Sequence, residues 1–257
     1  MHHAARLERY SVVPYLFRIY DRFDVNYRDE SGLTHFHVAC MTKGCSEAVR
    51  KFLDAGRVNT DQVWPETGDS PLHLALKHER SNEVLAMLLK AGADRGLANR
   101  EGSTPLHAIM RQNRFFISKT FFRAASTEEQ KLAESILRNG ADPNLANEEG
   151  STLLHLICKR DQDTSRLGGR RVHRHEFAEM LFDVAEEKKR PVRVDAKDEL
   201  GRTPLHYAVV KSSVDLVDVL LKRGADASNF VYPTADQFDE SLAKERAAGG
   251  FAFDSNW

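Results

Sequence analysis

The side chains best suited to chemistry in this sequence are 11 histidines and 3 cysteines. An imidazole can act as a general base or a zinc ligand, and a thiolate can act as a nucleophile. Two histidine pairs have a His-x-His spacing, His35 with His37 and His173 with His175. Neither pair has a third or fourth ligand nearby in the sequence, so the sequence predicts no metal site and no cofactor.

Other catalytic patterns are also missing from the sequence. Gly168-Gly169 lacks the Lys-Ser/Thr that completes a phosphate-binding loop, and no Gly-x-Ser-x-Gly elbow occurs. Acidic pairs such as Glu148-Glu149 stand beside glycine in expected turns, where no cleft would raise a carboxyl pKa. The three cysteines are too few and too uneven for a disulfide framework. We therefore expect a protein that is not an enzyme.

Composition narrows the classes of partner. The 257 residues contain 37 Lys and Arg against 38 Asp and Glu, so the net charge is −1. This balance argues against a generally basic nucleic-acid binder. No apolar run has the length of a membrane span, and no secretory leader is visible. We expect a monomeric protein, cytoplasmic and not secreted. Lys188-Lys189-Arg190 also resembles a nuclear-import cluster, although such a triplet is more often a solvated helix end.

The element that would position these residues is a repeat. A tetrapeptide of the form Thr-Pro-Leu-His begins at residues 34, 70, 104, 152 and 203, and a glycine lies two residues before each copy. Thr or Ser is a good helix N-cap and Pro suits the first helical position. Most copies are followed by a Gly-Ala-Asp phrase, whose glycine can end a second helix. The signature residues to which we assign a structural role are Thr34, His37, Ser70, His73, Thr104, His107, Thr152, His155, Thr203 and His206.

This pattern resembles the ankyrin-repeat family over roughly residues 24–232. The resemblance implies an all-α repeat solenoid, a stack of antiparallel helix pairs with short β-hairpin finger loops. It also implies that each signature histidine forms local hydrogen bonds that tie neighbouring turns together. We expect one domain: N-terminal cap 1–23, repeats 24–58, 59–93, 94–142, 143–192 and 193–226, C-terminal cap 227–248 and mobile tail 249–257.

Two repeats carry insertions between their helices, near residues 113–126 and 159–175. The first contains Phe115, Phe116, Phe121 and Phe122, which would form either a satellite core or an exposed apolar hook. The second is basic and includes Arg170, Arg171 and Arg174, as either a solvated loop or a site for an anionic partner. Because the insertions come from successive repeats, we expect them to form one composite surface.

The resemblance places partner binding on the fingers and the exposed ends of the inner helices. Finger positions are mostly acidic and helix ends mostly basic, so a partner with complementary strips would fit. Trp64 in the second finger would be either an interface anchor or packed on the neighbouring hairpin. The predicted partner-binding residues are Glu30, Leu33, Trp64, Asp69, Lys77, Arg100, Glu101, Arg111, Glu148, Glu149, Lys159, Arg160, Glu199, Arg202 and Lys211.

The function that we predict is therefore binding of another protein, whose identity the sequence does not encode. One alternative is masking of a transcription factor, as in the ankyrin inhibitors of kappa-B type that the chain resembles in size. A second alternative is binding of nucleic acid or another anionic partner through the basic insertion of the fourth repeat, which the overall charge makes a minor hypothesis.

Overall fold

A computed structural model describes residues 1–79, 82–110, 122–160, 174–228, 230, 232 and 234, with the backbone alone for 78, 79 and 122–129. Within these residues the regular structure is helical, and a single isolated β-bridge joins Arg28 to Thr34. The helices are α1 (His2–Arg6), α2 (Val13–Ile19), α3 (His35–Met41), α4 (Ser46–Asp54), α5 (Pro71–Leu74), α6 (Asn82–Lys90), α7 (Pro105–Met110), α8 (Phe122–Arg138), α9 (Leu153–Lys159), α10 (Arg174–Glu187), α11 (Pro204–Val210) and α12 (Val214–Lys222). A 3₁₀ turn, Tyr10–Val12, precedes α2, and a π-helical turn, Ala75–Glu79, extends α5.

The helices stack in two layers. In the inner layer α3 packs on α5, α7 on α9 and α9 on α11; in the outer layer α4 packs on α6, α8 on α10 and α10 on α12. Each repeat therefore contacts mainly its neighbours, which confirms the predicted all-α repeat solenoid. No described helix combines the length and the hydropathy needed to cross a membrane.

The core runs continuously between the layers. On α6 the side chains of Val84, Leu85, Leu88 and Leu89 are buried, as their helical spacing predicts. Cys158 is fully buried on α9, and burial raises the pKa of its thiol to about 12. A thiol held neutral in this way behaves as a small apolar side chain, so the core cysteines act in packing.

The signature histidines join one repeat to the next. In the third repeat the backbone N–H of Thr104 donates to Nδ1 of His107 (3.2 Å). Because Nδ1 is the acceptor, Nε2 carries the proton, and it donates to the carbonyl of Ser151 in the fourth repeat (2.9 Å). The same bridge leads from His73 to Ser103 (2.8 Å) and from His155 to Arg202 (3.1 Å).

The first repeat departs from this arrangement in two ways. His37 donates to the carbonyl of Gln62 (2.6 Å), seven residues before the position that its counterparts use. His35 replaces the signature proline, and its ring packs on His2 and Tyr20, with centroids 4.4 and 5.1 Å away. Burial lowers the pKa of His35 to about 4, so this imidazole is neutral and closes the N-terminal end of the stack as an aromatic ring.

The fourth repeat ends its outer helix without glycine. Lys189 has φ 55°, in the left-handed region that Gly140 and Gly224 occupy in their repeats. The N–H of Lys189 donates to Glu186 and that of Arg190 donates to Ala185, which is the hydrogen-bond pattern of the glycine-ended helices. The turn geometry is thus kept although the Gly-Ala-Asp phrase is absent.

Arg174 does not belong to an exposed basic surface, and that prediction is wrong. It is the first residue of α10, only 6% exposed, and its guanidinium donates to the carbonyl of Arg160. This hydrogen bond holds the guanidinium inside the stack, so its charge does not contribute to the surface. Several other predicted positions lie outside the described residues. They are Arg111, Phe115, Phe116, Phe121, Arg170, Arg171, the side chain of Phe122, and nearly all of 229–257.

The histidine bridges should make stability depend on pH. Burial lowers the pKa of His73, His107 and His155, so below pH 6.5 the unfolded chain binds more protons than the folded one. The free energy of unfolding should therefore fall from pH 7.5 to 5.5, by up to about 1.4 kcal/mol for each imidazole that stays neutral. Urea unfolding followed by circular dichroism measures this fall.

A substitution identifies the groups responsible. His107→Gln should lower stability at pH 7.5 and make its fall with acid shallower, whereas the exposed His3→Gln should leave the pH dependence unchanged. Equal slopes in all three proteins would contradict the assignment, because the lowered carboxyl pKa values act only at lower pH.

The left-handed lysine offers a second test. Lys189→Gly should stabilise the protein by about 1 kcal/mol, because glycine adopts positive φ without the steric cost that Lys189 bears. Lys188→Gly is the matched control, since residue 188 has the ordinary sign of φ and should gain nothing. Thermal unfolding of both variants decides the point, and a lower midpoint for Lys189→Gly would contradict it.

Candidate protein-binding surface

A short Asp or Asn side chain shapes four of the fingers. Oδ1 of Asn147 accepts the backbone N–H groups of Glu149 (3.1 Å) and Ser151 (2.9 Å), which closes the turn. The corresponding residues at the other fingers are Asp29, Asn99 and Asp198. The second finger has Pro65 at this position, and Oγ1 of Thr67 accepts the N–H of Asp69 (3.2 Å) instead. The backbone also closes this turn, because the N–H of Trp64 donates to the carbonyl of Asp69 (2.9 Å).

Backbone hydrogen bonds link successive fingers. The N–H of Arg100 donates to Thr67 (3.1 Å), that of Glu148 to Glu101 (3.2 Å), and that of Glu199 to Glu149 (3.0 Å). The fingers approach so closely that a Cβ on Gly102 would lie 2.7 Å from the nitrogen of Glu148. Glycine therefore serves both the positive φ and the contact, and the fingers form one fixed row.

Carboxylates occupy the tips of this row. The exposed glutamates are Glu30, Glu101, Glu148, Glu149 and Glu199, together with Glu66 in the second finger. Arg100 is an exposed cation within the same row. Leu200 is also 71% exposed beside Glu199. The structure thus brings together most of the predicted acidic finger residues on one side of the stack.

Leu33 and Asp69 were predicted on this exposed surface, but both are only 2% exposed, so for these residues the prediction is wrong. Each directly follows the finger glycine, where the chain turns back into the stack. Asp69 accepts Nζ of Lys77 (2.7 Å) and Nδ2 of Asn99 (2.8 Å). Burial raises the pKa of Asp69, but these hydrogen bonds outweigh it, so the pKa lies below its usual value. Asp69 and Lys77 therefore form an ion pair in which the two charges neutralise each other.

A larger cluster lies where the fourth repeat meets the fifth. Tyr207 Oη donates to Oδ2 of Asp198 (2.5 Å), and Nζ of Lys159 and Cζ of Arg202 lie 4.7 and 4.8 Å from the tyrosine ring centroid. Burial raises the pKa of Asp198, but the Tyr207 hydroxyl, the N–H of Arg202 and the two cations lower it below its usual value. Burial and the Asp198 carboxylate raise the pKa of Tyr207, so its hydroxyl remains a donor.

Trp64 packs inside the row of fingers. Its ring is partly buried against the core, and its Nε1–H donates to Oγ of Ser31 in the first finger (3.3 Å). Of its two predicted roles, the structure places it on the neighbouring hairpin. Arg160 and Lys211 are partly exposed near the ends of α9 and α11.

Asp198 and Tyr207 are site residues that the sequence analysis missed. The signal for Asp198 is its position three residues before the finger glycine, which Asp29, Asn99 and Asn147 share. Tyr207 follows a signature histidine, where the other repeats have smaller apolar residues. Among the described residues, no group of three or more His, Cys, Asp or Glu side chains could hold a metal ion. The chemistry that this surface offers is charge recognition.

Comparison with known proteins agrees with this geometry. The family model for ankyrin repeats (3 copies) matches residues 1–99 and 121–230. Neurogenic locus notch homolog protein 1 of Cricetulus griseus is 30% identical over 217 residues, and the human protein of that name is 29% identical. A Danio rerio protein named as a palmitoyltransferase, ZDHHC13, is 27% identical over 205 residues.

These matches cover 80% of this chain but 7% of either Notch protein, and 79% of this chain but 26% of the Danio rerio protein. The chain is thus similar to one part of each relative. Ankyrin repeats are generally protein–protein interaction modules and generally carry no enzymatic activity. The chain belongs to the ankyrin-repeat family.

Proposed function

We propose that this chain binds a partner protein along its finger row and that it is not an enzyme. In this proposal it acts as a monomer in the cytoplasm, and the nucleus is the alternative location. The family supports binding of a protein, and a solenoid offers an extended surface for it. Binding to a surface that is already ordered loses little conformational entropy.

The observation that carries the proposal is the row of exposed glutamates on fingers joined by backbone hydrogen bonds. Glu101 and Glu149 provide two of the three acceptor carbonyls of these bonds, so residues that link the third, fourth and fifth fingers also carry exposed carboxylates. Charges held in a fixed row attract a partner that presents a strip of Lys or Arg. We therefore propose a partner with a basic segment that lies across the third, fourth and fifth fingers.

The inner-helix end of the second repeat contributes less charge than the sequence predicts. Lys77 and Asp69 neutralise each other at the second repeat, so no partner acid is required there. Mutual pairing of partly buried groups also fixes the helix end against its finger. At the second repeat the finger tip thus carries the charge that a partner meets.

Charge reversal on the fingers tests this proposal. The combined change Glu101→Lys, Glu148→Lys, Glu149→Lys and Glu199→Lys should reduce capture of the partner from source-cell extract at least tenfold. Each rim charge contributes modestly, and the four changes act together on association. Quantitative mass spectrometry of the captured proteins, at low and high ionic strength, is the measurement, and salt should weaken capture by the unchanged chain.

A second variant with the same change in net charge is the control. Glu47→Lys, Glu83→Lys, Glu179→Lys and Glu186→Lys alter four exposed positions on the outer helices. Circular dichroism verifies that both variants fold. The control should retain the partner; if the two variants lose it equally, or if neither loses it, the finger row is not the binding surface.

A further inference from the structure

We call the residue that directly follows the finger glycine the finger base; it is Asp69 in the second repeat and Ser151 in the fourth. Lys77 and Lys159 each lie eight residues after it, at or just beyond the end of an inner helix. Their surroundings differ. Nζ of Lys77 donates to both carboxylate oxygens of Asp69, at 2.8 and 2.7 Å. Nζ of Lys159 donates to the hydroxyl of Ser151 (2.6 Å), because the fourth repeat has serine where the second has aspartate.

The acids nearest Lys159 are too distant for a hydrogen bond. Its Nζ lies 3.6 Å from Oδ2 of Asp198 and 3.7 Å from Oε2 of Glu149. The guanidinium of Arg202 likewise approaches Asp198 without such a bond. Its Nε lies 3.5 Å from Oδ2 of Asp198 and is buried without a hydrogen-bond partner among the described residues. Two cations therefore approach one buried carboxylate without a charge-assisted hydrogen bond to it.

The oxygens of Asp198 are occupied by other donors. Oδ2 accepts the Tyr207 hydroxyl at 2.5 Å, and Oδ1 accepts the backbone N–H groups of Leu200 (3.0 Å) and Arg202 (2.9 Å). A carboxylate that accepts three hydrogen bonds holds its charge. It attracts Lys159 and Arg202 across 3.6 and 3.5 Å without accepting a hydrogen bond from either side chain. The tyrosine and the finger backbone thus compete with the cations for the same acid.

Tyr207 also holds the two cations in place. Nζ of Lys159 and Cζ of Arg202 lie within 5 Å of the ring centroid, and their side chains are 24% and 28% exposed. Both side chains are therefore partly exposed at the corner between finger and inner helix. Cations set on an aromatic face lose less freedom when they bind an anion.

We propose that this group of four residues, Lys159, Asp198, Arg202 and Tyr207, binds an Asp or Glu side chain of the partner protein. The inference rests on the proposed function and deepens it, because it gives the surface a cationic pole at the fourth and fifth repeats beside the acidic finger tips. An arriving carboxylate completes the hydrogen bonds that Asp198 leaves unmade. The partner segment must then carry an acid next to its basic residues, which fixes its direction along the finger row.

The purified chain and a blocked oligoglutamate peptide test the inference. Titration followed by ¹⁵N–¹H NMR at low ionic strength should show saturable binding, with the largest shifts at Lys159, Arg202 and Tyr207. Lys159→Gln should weaken this binding about tenfold, because it removes one charge-assisted hydrogen bond. Lys77→Gln is the matched control and should change it less than about twofold, because the Lys77 ammonium group is already paired.

Tyr207→Phe separates this pole from a general excess of positive charge. The phenylalanine ring still supports both cations, but Asp198 loses its hydroxyl partner and becomes able to accept from Lys159 and Arg202. Binding of oligoglutamate should then weaken although no charge has changed. Equal losses from Lys77→Gln and Lys159→Gln, unchanged binding by Tyr207→Phe, or no saturable binding at all would each overturn the inference.

A blocked oligolysine peptide distinguishes this failure from failure of the proposed function. It should shift the resonances of Glu101, Glu148 and Glu199 and leave Tyr207 unaffected. Binding of oligolysine without oligoglutamate overturns the cationic pole and leaves the acidic finger row in place. Failure of both peptides, with partner capture unaffected by finger reversal, overturns the proposed function together with the inference.

Discussion

The structure depends on one hydrogen-bonded side chain that is repeated from finger to finger. The imidazole of His73, His107 or His155 accepts from the start of its own helix and donates to a carbonyl of the following repeat. Both ring nitrogens are buried, so neither could lose its partner without the cost of an unsatisfied polar group. Helix start, finger base and neighbouring repeat are thereby fixed in one step, and the spacing of the fingers follows from it.

Much of this arrangement can be predicted from the sequence, because it depends on residues whose local chemistry is specific. A Thr or Ser N-cap, a proline in the first turn and a glycine at positive φ each have few substitutes. Five copies of the same phrase therefore specify the fold even where one member changes, as His35 and Lys189 show.

The charge distribution of the binding surface could not be predicted in the same way. Lys77 was expected to face a partner, but it reaches back to Asp69, and that contact depends on whether the finger base is an acid or a serine. The burial of Arg174 depends on its hydrogen bond to the carbonyl of Arg160, fourteen residues earlier. Such pairings depend on the three-dimensional path of a long side chain, which residue type and spacing do not determine. The exposed finger glutamates follow from the sequence more directly, because turns beside glycine lie on the protein surface.

The histidine bridge ends on a main-chain carbonyl, and this has a consequence for how such a protein can change over evolution. The acceptors at the finger base are Ser103, Ser151 and Arg202, and the first repeat uses Gln62, so serine, arginine and glutamine all serve. Any residue supplies the same carbonyl, so substitutions at the finger base leave the bridge intact. Selection can therefore retune recognition at these sites while the scaffold keeps its stability, and specificity evolves separately from folding.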